Sequence, residues 1–325
     1  MHGYKKFVLA SNPVIPNERE FGGISPPASQ LPRRFALSGR RYFISQHFYA
    51  TCASMNTHTH IAAFYHFTDF ADFQDWREPL KQLMKSHGVG GTVLLAPEGI
   101  NATIAGSPEG IEAVVSHIRS DERFANLFVK PSLADHMPFS RARVRLKKET
   151  ITLGLPANVP ERTGKILSPE EWNHLLNDPE LVLLDTRNTY ETKVGTFENA
   201  IVWPLNDFQE LPEKILQSFD KKKKIAMFCT GGIRCEKLSS WMMGEGYDEI
   251  YQLEGGILHY LDTVPKTESK WQGECYVFDS RIAVGHACTP STENTMCPAC
   301  GDTLTPADRT HPAWLPAIQC GGCAA

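Results

Sequence analysis

The stretch that most constrains this chain is Ile225 to Lys237, which reads IAMFCTGGIRCEK. Four consecutive apolar residues, Ile225 to Phe228, fit a strand of a parallel sheet, buried on both faces. They lead into Cys229, Thr230, the glycine pair Gly231 and Gly232, Ile233 and Arg234, and the segment from Cys235 to Met243 has helical composition. A strand that turns through a cysteine into a helix activates sulfur, because the amides at the helix start and the positive end of its dipole favour thiolate over thiol. The glycines let the loop curl so that several N–H groups point inward, and Arg234 adds a fixed positive charge. A free cysteine after an apolar strand is commonly just a packed residue. The glycine pair and the arginine weigh for the reactive reading.

Size and composition bound the rest. A chain of 325 residues exceeds one typical domain. Hydrophobic residues at 42% and charged residues at 22% describe an ordinary globular protein. The net charge of −4 excludes a general polyanion binder, so any nucleic-acid contact has to come from a local basic patch. No apolar run approaches a membrane span and the N-terminus has no apolar signal core, so the expected location is cytoplasmic, with no membrane partner. Nine cysteines in so long a chain are not a disulfide scaffold; their clustering points to reactive thiols and a metal site.

The fold class expected is α/β. Residues 1–56 lack sustained periodicity and read as a disordered tail or as an extension upstream of a start at Met55. Residues 57–149 read as a ferredoxin-like (acylphosphatase-like) domain of order βαββαβ. Its expected parts are a strand at Ile61–Phe67, a helix from Phe73 to His87 closed by Gly88, a strand at Val89–Ala96, PEGIN as a turn and a strand at Ala102–Ala105. A helix capped by Ser107 and Pro108 then runs to about Arg119, followed by a strand at Leu127–Lys130. In SRARVRLKKE, Arg141, Arg143 and Arg145 alternate with apolar residues, so a strand would show one guanidinium-lined face, extended by Lys147 and Lys148. That face fits a phosphate-backbone contact; it equally fits a solvated edge strand.

Residues 150–166, with Pro156, Pro160, Gly154 and Gly164, read as a linker. Residues 167–268 read as a doubly wound parallel-sheet domain, opened by the capping sequence SPEE at Ser168. Asp185 and Cys229 both fall at carboxyl ends of its strands, where such sheets place their chemistry. Residues 269–325 read as an irregular, Cys-rich region. There Cys297 and Cys300, nineteen residues, then Cys320 and Cys323 give the paired C-x2-C spacing of a four-cysteine zinc site. Unpaired or disulfide-linked cysteines are the competing reading. His286 and His311 are alternative ligands or surface histidines, and Cys275 and Cys288 have no comparable pairing.

DTRNTYE (185–191), GTFENA (195–200), CTGGIR (229–234) and LEGGI (253–257) together resemble a rhodanese domain. With PEGIN, RVRLKKE, CTGGIRCEK, WQGECYVFD and the C-terminal cysteine pairs in this order, residues 60–323 resemble the rhodanese-like tRNA uridine(34) hydroxylases. The resemblance implies that Cys229 is the active-site cysteine, a persulfide-forming position by analogy with rhodaneses. It implies a supporting role before the loop for Asp185, Arg187 and Glu191. The reaction it implies is oxygen-dependent hydroxylation of the wobble uridine of tRNA at C5, with molecular oxygen as a substrate and an electron donor that the sequence does not name. The expected partner is then the anticodon region of tRNA, not DNA. Where general rhodaneses often have Gly-His-Ile, this chain has Gly195, Thr196 and Phe197.

Loop length separates related chemistries. Cysteine phosphatases of this fold place five residues between cysteine and arginine; here Cys229 and Arg234 have four between them, a cradle suited to one sulfur rather than to phosphate. Rhodanese-type sulfur transfer through a Cys229 persulfide is the second enzymatic reading, and a non-catalytic RNA-binding module the third. Cys235 is a candidate resolving thiol or a packed helix residue. The chemical expectation is thus a Cys229 thiolate with Arg234 beside it, supported by Thr230, Gly231, Gly232 and Ile233.

Overall fold

A computed structural model describes residues 59–324. The tail expected over residues 1–56 lies outside the described residues.

The first sheet begins with β1 (Thr59–Phe67), in which alternate residues are buried on opposite faces. Ala62 and Phe64 enter the domain's own core, whereas Tyr65 and Phe67 pack against Ile151, Val159 and Ile233 of the chain beyond it. Helix α1 (Arg77–Ser86) buries Leu80 and Met84. It begins four residues later than expected, because Phe73 to Trp76 form turns. Strands β2 (Gly90–Ala96) and β3 (Gly99–Gly106) are joined by Pro97 and Glu98 alone. PEGIN is therefore not all turn: Gly99, Ile100 and Asn101 pair in register with Ala96, Leu95 and Leu94. Helix α2 (Pro108–Arg119) starts as expected, with the Ser107 hydroxyl accepting from the Gly110 amide at 3.1 Å. Strand β4 (Val129–Ala134) lies further along the chain than the expected 127–130.

Strand order β4-β1-β3-β2 with antiparallel pairing is the ferredoxin-like arrangement, and β5 (Ala142–Leu146) extends it by a parallel pair with β2 at the edge. The residues between the domains are packed rather than free. Leu153 is 1% exposed and Val159 7% exposed, both in apolar clusters with residues of the second sheet or its helices. The segment's end forms β6 (Lys165–Leu167).

The second sheet is parallel, in order β6-β10-β9-β7, with β7 at Val182–Asp185, β9 at Ile225–Phe228 and β10 at Ile250–Leu253. Two apolar layers sandwich it. Ile225 and Met227 face one layer with Leu238, Trp241 and Met242; Ala226 and Phe228 face the other with Trp172, Phe197 and Tyr260. All four residues of β9 are buried because helices cover both faces. On the first face lie α5 (Leu211–Ser218) and α6 (Ile233–Gly244); on the second, α3 (Pro169–Leu175) and α7 (Gly256–Thr263). A one-turn helix, α4 (Thr189–Thr192), and β8 (Gly195–Phe197) follow β7.

The C-terminal region is more regular than expected. Trp271–Gly273 (β11) pairs antiparallel with β8, and Trp271 buries among Phe197 and Phe228. Two further short hairpins follow, Cys275–Tyr276 with Ala283–Val284 and Thr295–Met296 with Thr303–Leu304. No helix among the described residues is long and apolar enough to cross a membrane.

Candidate active site and cysteine cluster

Cys229 ends β9 and stands directly before α6. The N-cap of α6, Gly232, has φ +100° and no capping side chain of its own. Its amide instead donates to Cys229 Sγ at 3.1 Å, so sulfur takes the place of a capping oxygen. The backbone on the other side is held from α7: the amides of Ile257 and Leu258 donate to the carbonyls of Cys229 and Thr230, at 3.0 and 3.1 Å. A Cβ at Gly256 would lie 2.5 Å from the Cys229 carbonyl and 2.7 Å from the Gly232 nitrogen. The close approach of α7 to the loop therefore requires glycine there.

Burial by itself pushes the Cys229 thiol up. A hydrogen bond from Cys235, the charge of Arg234 and the amides of Cys235 and Arg234 outweigh it, and the thiol titrates below its ordinary value. Cys235 moves the opposite way: burial and the neighbouring Cys229 sulfur keep it a thiol. Its Sγ also lies 3.5 Å from Thr186 Oγ1.

Arg234 is not aimed at open space. Its two terminal nitrogens bind Glu191 bidentately at 2.6 Å each, with Glu191 0% exposed, and Thr230 Oγ1 donates to the same carboxylate. Arg234 thus acts on Cys229 through its field, with Glu191 holding it in place. Asp185 and Arg187 form a second fully buried bidentate pair, and Arg187 also donates to the carbonyls of Glu191 and Gly195 and lies against the Trp271 ring. Asp185 accepts a further bond from Thr196 at 2.8 Å, where general rhodaneses often have histidine. These residues brace the segment that carries Glu191. Gly231 and Ile233 complete the loop, Ile233 packing on Phe67 and Val159.

Sequence reasoning missed the roof over this loop, which comes from the first domain. Tyr65 of β1 donates to Glu236 Oε2 at 2.7 Å, and its hydroxyl lies 2.9 Å from where a Gly232 Cβ would stand. Lys130 of β4 is 7% exposed; its Nζ sits over the rings of Tyr65 (4.9 Å to the centroid) and Phe128 (5.3 Å). Burial lowers Lys130 to about 8, against the opposing pull of Cys229 and Glu236. Nothing in local spacing marks Tyr65 or Lys130; only strand alternation puts them on the outward face of β1 and β4. Cys229 itself is 1% exposed beneath this roof.

A second contact locks the two domains. Lys237, one turn beyond Arg234 on α6, is 2% exposed and donates to Glu98 at 2.8 and 2.9 Å, to Glu149 and to the Ile151 carbonyl at 2.9 Å. Glu98 also accepts from the Thr150 amide and hydroxyl, at 2.7 Å each. The glutamates of PEGIN and RVRLKKE and the lysine of CTGGIRCEK thus meet at one joint.

The basic strand is the edge of the first sheet. Arg141, Arg145, Lys147 and Lys148 are exposed and Arg143 is half-buried; among the described residues none of the five forms an ion pair.

In the C-terminal region the sulfurs of Cys297, Cys300, Cys320 and Cys323 all lie within 4.8 Å of one another, without His286 or His311. Three Sγ pairs stand at 3.8, 3.7 and 3.5 Å. Tetrahedral ligands about 2.3 Å from zinc lie about 3.8 Å apart, so this donor set fits a soft divalent metal such as zinc. Cys275 and Cys288 are buried thiols, each pushed up to about 12 by burial, and stand outside the quartet; Cys275 lies against Thr230 of the Cys229 loop.

Comparison with known proteins places names on both halves. Residues 59–150 match the family described as UPF0176 acylphosphatase like domain, and residues 168–263 match the rhodanese-like domain. Similar solved structures include a rhodanese-like domain from Anabaena, 16% identical over 33% of this chain and 77% of that one, with a TM-score of 0.29. A rhodanese-like domain protein from Staphylococcus aureus is 28% identical over 30% and 90%, with a TM-score of 0.26. The polysulfide-sulfur transferase of Wolinella succinogenes is 26% identical over 30% and 74%, with a TM-score of 0.27. A cysteine-loop rhodanese domain behind an acylphosphatase-like one is the domain architecture of the UPF0176 family, and this chain has it.

Proposed function

We propose that this protein is a tRNA-modifying oxidoreductase that hydroxylates the wobble uridine at C5, with Cys229 as its nucleophile and molecular oxygen as a substrate. The observation that carries this reading is the composite site: a low-pKa thiolate in a rhodanese loop, roofed by Tyr65 and Lys130 of the acylphosphatase-like domain. A plain sulfur carrier needs only the loop; a site closed by a second domain suits a substrate that must be oriented and shielded from water.

Thiolate addition to C6 of an unstacked uracil moves the C5–C6 electron pair toward C5 and O4, which makes C5 nucleophilic. Once oxygen is on C5, loss of the C5 proton expels the Cys229 thiolate from C6 and restores the C5–C6 double bond. The net reaction puts one oxygen atom of O2 on C5 and releases the other as water, using two electrons and two protons from a reductant in solution. The basic side chains between Arg141 and Lys148, exposed at Arg141, Arg145, Lys147 and Lys148, support tRNA as the partner, held by phosphate contacts while the anticodon loop presents its bases. Cys297, Cys300, Cys320 and Cys323 would hold zinc as a structural brace, a role that needs no redox change. The reading places the protein in the cytoplasm, with tRNA.

Rhodanese-type sulfur transfer is the second reading, favoured by the four-residue span between Cys229 and Arg234 that suits a single sulfur. Mass spectrometry of tRNA nucleosides from a deletion strain, complemented with wild type or Cys229→Ala, tests both. Loss of 5-hydroxyuridine derivatives with Cys229→Ala is the expected outcome; loss of a thiolated nucleoside instead selects sulfur transfer.

A further inference from the structure

We propose that Lys130 is a functional residue of the Cys229 site: the ammonium that faces the sulfur from the first domain and takes up the negative charge that thiolate addition leaves on a bound uracil. This rests on the reading of Cys229 as the nucleophile toward uracil.

Lys130 is a lysine 7% exposed whose Nζ has, among the described residues, no hydrogen-bond or ion-pair partner. Buried lysines are otherwise paired, since an unpaired ammonium loses hydration with nothing in return. Here two aromatic faces, Tyr65 and Phe128, carry part of that cost and fix where the charge stands. That place is the loop: Lys130 Cε lies 3.7 Å from where a Gly231 Cβ would be. That is ordinary van der Waals distance, so the lysine stem lies against the loop at Gly231. Phe128 continues the wall outward, its ring 5.7 Å from that of His259 on α7. The half-buried Phe128 and His259 form an aromatic rim, and the cation sits behind it.

The chemistry this geometry serves balances within the site. A Cys229 lone pair forms the S–C6 bond; the C5–C6 π pair moves through C4, and the charge ends on O4 as an enolate. An enolate buried without a partner is costly; an ammonium donating to O4 removes that cost. Arg234 already has a charge partner, because its two terminal nitrogens donate bidentately to the buried Glu191 carboxylate. Tyr65 is committed to Glu236. Among the described residues around the sulfur, Lys130 is the cation left to meet the ligand.

Other groups also face the sulfur: Cys235, Arg234 and Glu236 from α6 and Tyr65 from β1, with Glu191 acting through Arg234 and His259 of α7 close enough to influence Lys130. A variant at Lys130 must therefore be read against these as a fixed background.

The test uses the full chain and substrate tRNA carrying 5-tritiated uridine, without oxygen. Reversible addition at C6 exchanges the C5 hydrogen, so wild type should release tritium. Lys130→Met should slow release at least 10-fold and move the pH profile of Cys229 alkylation by iodoacetamide to higher pH, with Lys130→Arg restoring part of both. An isosteric methionine preserves packing, so a merely structural lysine would leave both readouts unmoved. Lys130→Met that releases tritium at the wild-type rate overturns the proposal. If wild type releases none and Cys229→Ser still forms 5-hydroxyuridine, the nucleophile reading fails instead. The alkylation profile then decides alone: a shift keeps Lys130 opposite the sulfur, and no shift removes it.

Discussion

At Cys229 the chain supplies everything a thiolate needs from within: helix amides, a neighbouring thiol and an arginine pinned by a buried glutamate. At Cys297, Cys300, Cys320 and Cys323 it gathers four sulfurs within 4.8 Å of one another, the first pair in the loop of a short hairpin, with backbone amides such as that of Cys320 donating to Cys297. Four thiolates at that separation would repel without a cation between them, so the quartet could hold a metal such as zinc. The first site is organised before any ligand arrives and keeps its sulfur reactive. The second has the donor set to spend its sulfurs on coordination. Cysteine count or spacing alone describes both; what separates them is whether the protein or an ion carries the compensating charge.

The largest contrast comes from exchanging cysteine for serine at each site. Cys229→Ser should lower 5-hydroxyuridine formation by roughly 10³-fold or more in a complementation assay, with the bound metal retained. Cys297→Ser with Cys300→Ser should remove about one metal ion per chain by elemental analysis, while the alkylation profile of Cys229 stays put. Loss of Cys229 reactivity in the second variant would break the separation of the two sites.

Glu191→Gln probes the pinned arginine. It leaves the buried Arg234 guanidinium without its counter-charge and should cost about 3–5 kcal/mol by denaturant unfolding. A Lys193→Ala change, at a surface cation paired with Asp302 and Asp308 beside the quartet, should cost at most about 1 kcal/mol in the same assay.

The pH dependence sharpens the same comparison. The Cys229 thiol is lowered from 9.0 to about 6, so it should alkylate half-maximally near pH 6 and fully above about pH 7. The sign follows from linkage: a depressed folded pKa stabilises the fold fully above the unfolded value near 9, and that contribution fades as pH falls from 9 through 6. Half-maximal alkylation near 9 would mean that Arg234 and the loop amides do not outweigh burial.

The smallest effect is expected at the basic edge. Arg141→Ala/Arg143→Ala/Arg145→Ala should weaken tRNA binding uniformly across sequences. Its salt dependence should flatten by about 0.7–0.9 in log–log slope for each phosphate that the variant no longer neutralises. Unchanged binding would return β5 to the role of a solvated edge that resists aggregation.

How far the sequence reaches can be followed residue by residue. IAMF, the glycine pair and the helix after Cys229 are legible because strand burial, turn chemistry and helix start are local properties; so is the Ser107 cap, and so is the C-x2-C spacing that brings four sulfurs together. The two-residue turn at Pro97 and Glu98 reads as longer than it is, since Gly99 looks like a turn residue until its place in the β1–β3–β2 sheet is known. The packed segment from Ile151 to Val159 reads as linker because its proline and glycine hide apolar residues that bury against another domain. Glu98, Glu149 and Lys237 are ordinary surface residue types in a sequence, and only the contact between domains makes them one buried joint.

The sequence by itself determined that Cys229 would meet a helix start with a fixed cation nearby, because those residues are consecutive and their geometry is set by the backbone. It could not assign Arg234 to Glu191, or set Tyr65 and Lys130 over the loop, because those pairings join residues 43 to 171 positions apart or strands of one domain to the loop of another. Strand alternation says which side chains face outward; only the packing of two sheets decides what they face. The depressed pKa of the Cys229 thiol is thus written largely in one stretch, while the roof of Tyr65 and Lys130 over it exists only in the assembled fold.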